Sequence, residues 1–184
     1  MLARWDSRGV TSPLVGARRL VLLRHAKAEN GGDLTDQLRP LALSGRRQAA
    51  QVGATLDAAG LVPDLILCSS AVRTRQTWDL ARAAFGSPAG ELEIVDALYH
   101  GGVRGLLDAV RAVAADLRTV LVVGHEPAMS HATALLAGAG SDEATVARVR
   151  VGMPTGSYAV LDLDVAWAQL EPRSARVVRV VAPA

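Results

Sequence analysis

The chain has 184 residues, half of them apolar and only 3% aromatic, with a formal net charge of +2. That length suits one domain with a core of Ala, Val and Leu, and scattered arginines with Lys27 as the only lysine exclude the dense basic runs of a nucleic-acid binder. Cys68 is the single cysteine, which excludes an internal disulfide and a four-cysteine zinc site, and no apolar run approaches the roughly 20 residues of a membrane span.

Residues 1–18 contain Arg4, Asp6 and Arg8 without a continuous apolar stretch, so they lack the core of a signal peptide and are expected to be a poorly ordered leader. Residues 19–184 are then a single domain, and the cysteine usage fits a reducing, cytoplasmic setting. Leu20-Val21-Leu22-Leu23 is too short an apolar run for a helix and suits a strand buried on both faces. It ends in Arg24 and His25. In open α/β sheets ligands bind outside the carboxyl ends of strands, which is where these two side chains fall.

A polar, glycine-rich loop follows, and Pro40 biases Arg39 away from helix. Ser44 is the expected cap of a helix over 44–59, with Gly60 as its stop. Residues 65–68 read as a second buried strand, after which Ser69 and Ser70 cap a helix that carries Arg73 and Arg75 to about residue 84. A short strand over 92–95 precedes Gly101-Gly102 and a helix over 103–116, with Val103, Leu106, Leu107, Val110 and Val113 on a helical period. The clearest strand, 119–123, ends in Gly124-His125-Glu126-Pro127 and leads into a helix over 128–136. Residues 142–149 form a short polar segment, and 158–163 and 176–181 are the last strands, the latter charged like a sheet edge.

This alternation predicts a three-layer α/β/α sandwich with a mostly parallel central sheet. Three strand ends then carry Arg24 with His25, Arg73, and His125. Placed side by side, these potentially cationic groups would repel one another unless an anion joined them. Arginine pairs with phosphate oxygens through two hydrogen bonds. A neutral imidazole is a nucleophile toward phosphorus, and a second, protonated one donates to the non-bridging oxygens. Positioning and charge stabilisation carry phosphoryl transfer, and placed arginines supply both without a metal or cofactor.

At these residues the chain resembles the histidine phosphatase (phosphoglycerate-mutase-like) superfamily. Leu22-Leu23-Arg24-His25-Ala26 is similar to its Arg-His-Gly signature. Arg39-Pro40-Leu41 with Ser44-Gly45, the run from Ser69 to Thr77, Val123-Gly124-His125-Glu126-Pro127, and the segment from Met153 to Ser157 resemble its later blocks in the same order. The short chain leaves no room for a cap insertion, which brings it nearest the SixA-type phosphohistidine phosphatases. The resemblance implies a phosphoglycerate-mutase-like fold, His25 as the nucleophile that becomes phosphorylated, and Arg24, Arg73 and His125 as phosphoryl ligands. Ala26 departs from the signature glycine, a change compatible with the SixA-like subgroup.

Arg39 is a candidate for the substrate rim. Glu126 and Glu29 are candidate general acids, although Glu126 also suits a helix start. No metal is implied: His125 and Glu126 would need a further histidine where Met129 stands to make a zinc-protease motif. Cys68 reads as packing, and no phosphate-binding Gly-rich loop with lysine is present. The leading expectation is a metal-independent phosphatase acting on phosphohistidine in a protein partner. A small-molecule phosphomonoesterase using the same residues, on a sugar phosphate or similar ester, is the alternative. A non-catalytic phosphate-binding module is the reading of another class. Neither a nucleic acid nor a membrane is an expected partner, and the sequence does not specify the oligomeric state.

Overall fold

Strand β1 (Arg18–Arg24) lies near the middle of a six-stranded sheet with β2 (Leu65–Cys68), β3 (Glu91–Ile94), β4 (Thr119–Gly124), β5 (Tyr158–Leu163) and β6 (Ala175–Val181), in the order β3-β2-β4-β1-β5-β6. The computed structural model describes residues 18–30, 32 and 34–183. Residues 1–17 of the expected leader lie outside the described residues, and Arg18 opens β1. The pairs β1–β4, β4–β2 and β2–β3 are parallel, whereas β5 runs antiparallel to β1 and β6 antiparallel to β5. The helices are α1 (Leu43–Ala58), α2 (Val72–Arg82), α3 (Ala97–His100), α4 (Gly102–Arg111), α5 (Ala128–Leu136) and α6 (Glu143–Val151), with 3-10 turns at Asp36–Leu38 and Trp167–Gln169.

The two-residue period of the central strands divides the core. Leu20, Leu22, Leu67, Val120 and Val122 pack with Leu106 and Val110 of α4, Met129 and Leu136 of α5 and Val149 of α6. Their alternates Val21, Leu23, Ile66, Leu121 and Val123 pack with Val52 and Leu56 of α1 and Trp78 and Ala81 of α2. This is the expected sandwich, in which the buried stretches 20–23 of β1, 65–68 of β2 and 120–123 of β4 are apolar throughout because both faces are covered. Each buried aliphatic side chain contributes about 1.5–3 kcal/mol relative to exposure. The sheet ends differ. All of β3 is exposed, and β6 places Arg176 and Arg179 at the opposite edge.

Three expectations are corrected. Helix α1 starts one residue before Ser44: Ala42, which has no side-chain acceptor, is its cap residue, and its own N–H is tied to the carbonyl of Lys27. Ser69 and Ser70 do not cap α2, whose cap residue is Ala71. The expected helix over 103–116 ends at Arg111, and a separate turn, α3, precedes it, because Gly102 at φ +54 interrupts helical geometry between them. The polar segment near 142 folds as α6, with the Asp142 side chain accepting the Thr145 N–H at 2.8 Å and Val146 and Val149 buried beneath it. Among the described residues no helix is long and apolar enough to cross a membrane.

Helices α1 and α2 approach closely at Gly53, where a Cβ would lie 2.0 Å from the Ala81 carbonyl oxygen. Gly53→Ala is expected to lower unfolding free energy by about 1–3 kcal/mol through overpacking. Ala54→Ser, on the exposed side of the same helix, should stay within about 0.5 kcal/mol of the parent. Urea unfolding of both variants checks this.

Candidate active site

Parallel pairing of β1 with β4 sets Arg24 opposite Gly124, so His25 and His125, each the next residue, leave the sheet side by side. Their ring centroids are 5.1 Å apart at 59°. The third strand end, β2, lies on the other side of β4 and feeds α2, whose first turn carries Arg73, buried with 6% exposure. The structure therefore brings Arg24, His25, Arg73 and His125 to one place.

Hydrogen bonds settle the tautomers, because arginine only donates. His25 Nδ1–H donates to the Ala26 carbonyl at 2.8 Å, and its Nε2 accepts from Arg73 Nε at 3.3 Å. His125 Nδ1 accepts from Arg73 Nη2 at 3.3 Å, which leaves the proton on Nε2, donated to Ser69 Oγ at 2.7 Å. The Nε lone pair of His25 and the Nδ lone pair of His125 thus converge on one edge of one guanidinium. Ser69 serves this network, which explains why it is not a helix cap.

Burial is the main cause that lowers His25 to about 4, with Arg73, Arg24 and Arg39 adding to it and the Ala26 hydrogen bond opposing it. Burial again leads for His125, lowered to about 3, followed by the repulsion of His25 and Arg73. Both imidazoles are neutral at neutral pH in the protein alone. The protonated second histidine expected from sequence requires the negative charge of a bound phosphoryl group.

Arg24 is anchored by the segment from Met153 to Ser157, which wraps the end of β1. Arg24 Nη1 donates to the Met153 carbonyl, and Gly156, at φ +74, donates its N–H to the His25 carbonyl at 3.0 Å. Arg24 Nε is buried without a hydrogen-bond partner, an unmet donor of the kind that an oxyanion satisfies. Ala26 is fully buried against Leu41 and Ala49, so the methyl group that departs from the signature is accommodated.

Neither candidate acid is hydrogen-bonded to His25 or His125. Glu126 Oε2 accepts from Ser130 Oγ at 2.6 Å and Oε1 from the Met153 N–H at 2.7 Å, so both oxygens are engaged on the side of the loop that holds Arg24. Glu29 is exposed, and its main-chain carbonyl accepts from Arg39 Nε at 2.9 Å. Arg39 reaches the rim by donating through Nη1 to Asp36 Oδ1 at 2.8 Å. Asp36 and Tyr99 belong to the site and were not singled out from sequence: Asp36 accepts from both Arg73 and the Tyr99 hydroxyl, and the Tyr99 ring stands edge-on to His125 at 5.5 Å. The usable signal was Asp36-Gln37-Leu38-Arg39, an acid and a base three residues apart. Among the described residues, no three His, Cys, Asp or Glu side chains cluster to hold a metal ion.

The histidine shifts carry a stability consequence. Both folded values, about 4 and about 3, lie below the ordinary 6.5, so the unfolded chain binds more protons in the interval. Their contribution is whole above about pH 6.5 and is lost as the pH falls through those lowered values. Melting temperature should fall steadily from about pH 6.5 to about pH 4.5, before most carboxylates titrate. A His25→Asn, His125→Gln double variant should show a clearly flatter slope in that window by scanning calorimetry.

The histidine phosphatase superfamily (branch 1) model matches residues 20–112. A solved structure from Nakamurella multipartitia, assigned as a phosphohistidine phosphatase SixA, is 36% identical, covers 94% of this chain and 99% of its own, and superposes with a TM-score of 0.80. The uncharacterized protein Rv1276c of Mycobacterium tuberculosis is 36% identical over 157 residues, 85% of this chain and 96% of the relative. The mycobacterial glucosyl-3-phosphoglycerate phosphatase Rv2419c, 21% identical with a TM-score of 0.60 over 91% of this chain and 99% of its own, shares the fold. The chain belongs to the histidine phosphatase superfamily and is a phosphatase.

Proposed function

We propose that the protein removes phosphate from phosphohistidine in a protein partner through a phosphorylated His25, without a metal. The observation that carries the reading is the His25 tautomer: the Nδ1 proton is committed to the Ala26 carbonyl, and the unprotonated Nε2 faces Arg73 beside His125. In the first step the Nε2 lone pair attacks phosphorus, the bond from phosphorus to the leaving nitrogen breaks, and the departing imidazole keeps that electron pair. A protonated phosphohistidine already carries the proton it leaves with. Arg73 and Arg24 hold the non-bridging oxygens, and His125, once protonated beside the dianion, donates through Nδ1 as charge shifts onto them. Water then attacks phosphorus, the bond to Nε2 breaks, and inorganic phosphate leaves with His25 restored.

The nitrogen-linked substrate is favoured over a sugar phosphate or similar ester by the acid question. An alkoxide leaving group needs a proton donor at the bridging oxygen. Of the two carboxylates considered, Glu126 has both oxygens engaged and Glu29 lies exposed with only its carbonyl tied to the site. The likeness to the Nakamurella structure assigned as a phosphohistidine phosphatase supports the same choice. The four groups together also argue against a binding module, which has no use for a buried, neutral nucleophile.

Phosphate release from a phosphohistidine protein in the presence of EDTA checks the proposal. His25→Ala is expected to lose at least about 1000-fold in kcat/KM, while the parent keeps its rate with the chelator. Preference of the parent for a free sugar phosphate over the phosphoprotein would overturn the substrate assignment. A residual rate close to the parent's in His25→Ala would overturn the mechanism.

A further inference from the structure

We propose that Asp36 is a positioning residue that fixes the Arg73 guanidinium so that the edge facing the two histidines is presented to the phosphoryl group. The proposal rests on the reading of Arg73 as a phosphoryl ligand. A guanidinium offers five N–H donors in a rigid plane, and each pair of nitrogens forms a distinct edge. In Arg73 the edge formed by Nε and Nη2 points to His25 Nε2 and His125 Nδ1, both at 3.3 Å. The edge formed by Nη1 and Nη2 points to Asp36, with Nη1 donating to its main-chain carbonyl at 2.6 Å and Nη2 to Oδ2 at 2.9 Å. One residue therefore grips the outer edge at two points and sets the plane of the group.

The two edges distinguish positioning from competition. A carboxylate that mimicked the substrate would lie on the Nε/Nη2 edge, between the imidazoles. Asp36 lies on the other, so the inner edge stays directed at the reacting atoms while the outer one is held. Nη2 carries two hydrogens and serves both edges.

Asp36 is itself held from two further directions. Arg39 Nη1 donates to Oδ1 at 2.8 Å across the 3-10 turn, while Arg39 Nε donates to the Glu29 carbonyl at 2.9 Å and ties the turn to the loop that leaves β1. Tyr99 of α3 donates its hydroxyl to Oδ2 at 2.9 Å, and its ring lies 5.9 Å from Arg73 Cζ. Hydrogen bonds from Arg39, Tyr99 and Arg73 keep the carboxyl ionised well below the usual carboxylate range. The brace stays charged throughout the pH range in which His25 is neutral. This arrangement gives Arg39 a role at the rim: it secures the brace.

The test is a double-mutant cycle on kcat/KM, with inhibition by orthovanadate as the binding probe. Asn at position 36 keeps the side-chain shape and the main-chain contact, and the residue is half-exposed, so melting temperature serves as the folding control. Asp36→Asn is expected to lower kcat/KM about tenfold and raise the vanadate inhibition constant by a similar factor, as loss of a charge-assisted pair does. Arg73→Lys, which abolishes the fork, should cost more, and adding Asp36→Asn to it should cost less than a further twofold. Full additivity of the two losses, or an Asp36→Asn enzyme with parental kcat/KM, overturns the positioning role. An active, vanadate-sensitive Arg73→Lys enzyme at the parental rate would instead overturn the assignment of Arg73 as a phosphoryl ligand.

Discussion

The parallel register between β1 and β4 is the constraint on which the site depends. With Arg24 opposite Gly124, the next residue on each strand is a histidine, and no side-chain preference is needed to bring the rings together. A slip of one residue would send both imidazoles to opposite faces of the sheet. The register is set by the alternation of Leu20, Leu22, Val120 and Val122 against Val21, Leu23, Leu121 and Val123, because each set fits a different helical layer. The hydrophobic core and the chemistry are therefore specified by the same strands.

Bringing two imidazoles and two arginines together has an electrostatic cost that the protein meets by neutralising the imidazoles. Burial and the neighbouring guanidinium groups hold His25 near 4 and His125 near 3, so only the arginines are charged at neutral pH. The unprotonated nitrogens, His25 Nε2 and His125 Nδ1, both accept from Arg73. Glu126 braces the Met153 backbone beneath Arg24, and Asp36 accepts from Arg73. Arg73 is thus held directly by an acid, and Arg24 through the Met153 backbone that an acid in turn engages.

Much of this was legible in the sequence, for physical reasons that differ by residue. The central strands are read directly because complete burial leaves uninterrupted apolar runs, and the runs of β1 and β4 end just before Arg24-His25 and Gly124-His125. Helix starts were read less well. Ser44 and Ser69 have the chemistry of caps, yet the cap residue of α1 is Ala42, its own N–H tied to the carbonyl of Lys27, and Ser69 is drawn to His125 by a contact 56 residues away in sequence. Asp36 and Tyr99 were missed for the same reason, since their partners come from loops and helices whose placement depends on the tertiary fold. Glu126 was visible as an acid beside His125, but only the folded structure places its two oxygens on Ser130 and Met153. Composition revealed the layers, whereas hydrogen-bond direction required the structure.

The most direct measurement is a rapid acid-free quench of the protein turning over a phosphohistidine protein, followed by mass spectrometry of the digested enzyme at alkaline pH. The account predicts a transient phosphate on His25, bonded through Nε2, that is stable to alkali, labile to acid and lost when turnover is allowed to finish. Phosphate on His125 instead, or turnover with no phosphorylated enzyme during the pre-steady-state phase, would contradict the assignment of His25 as the nucleophile.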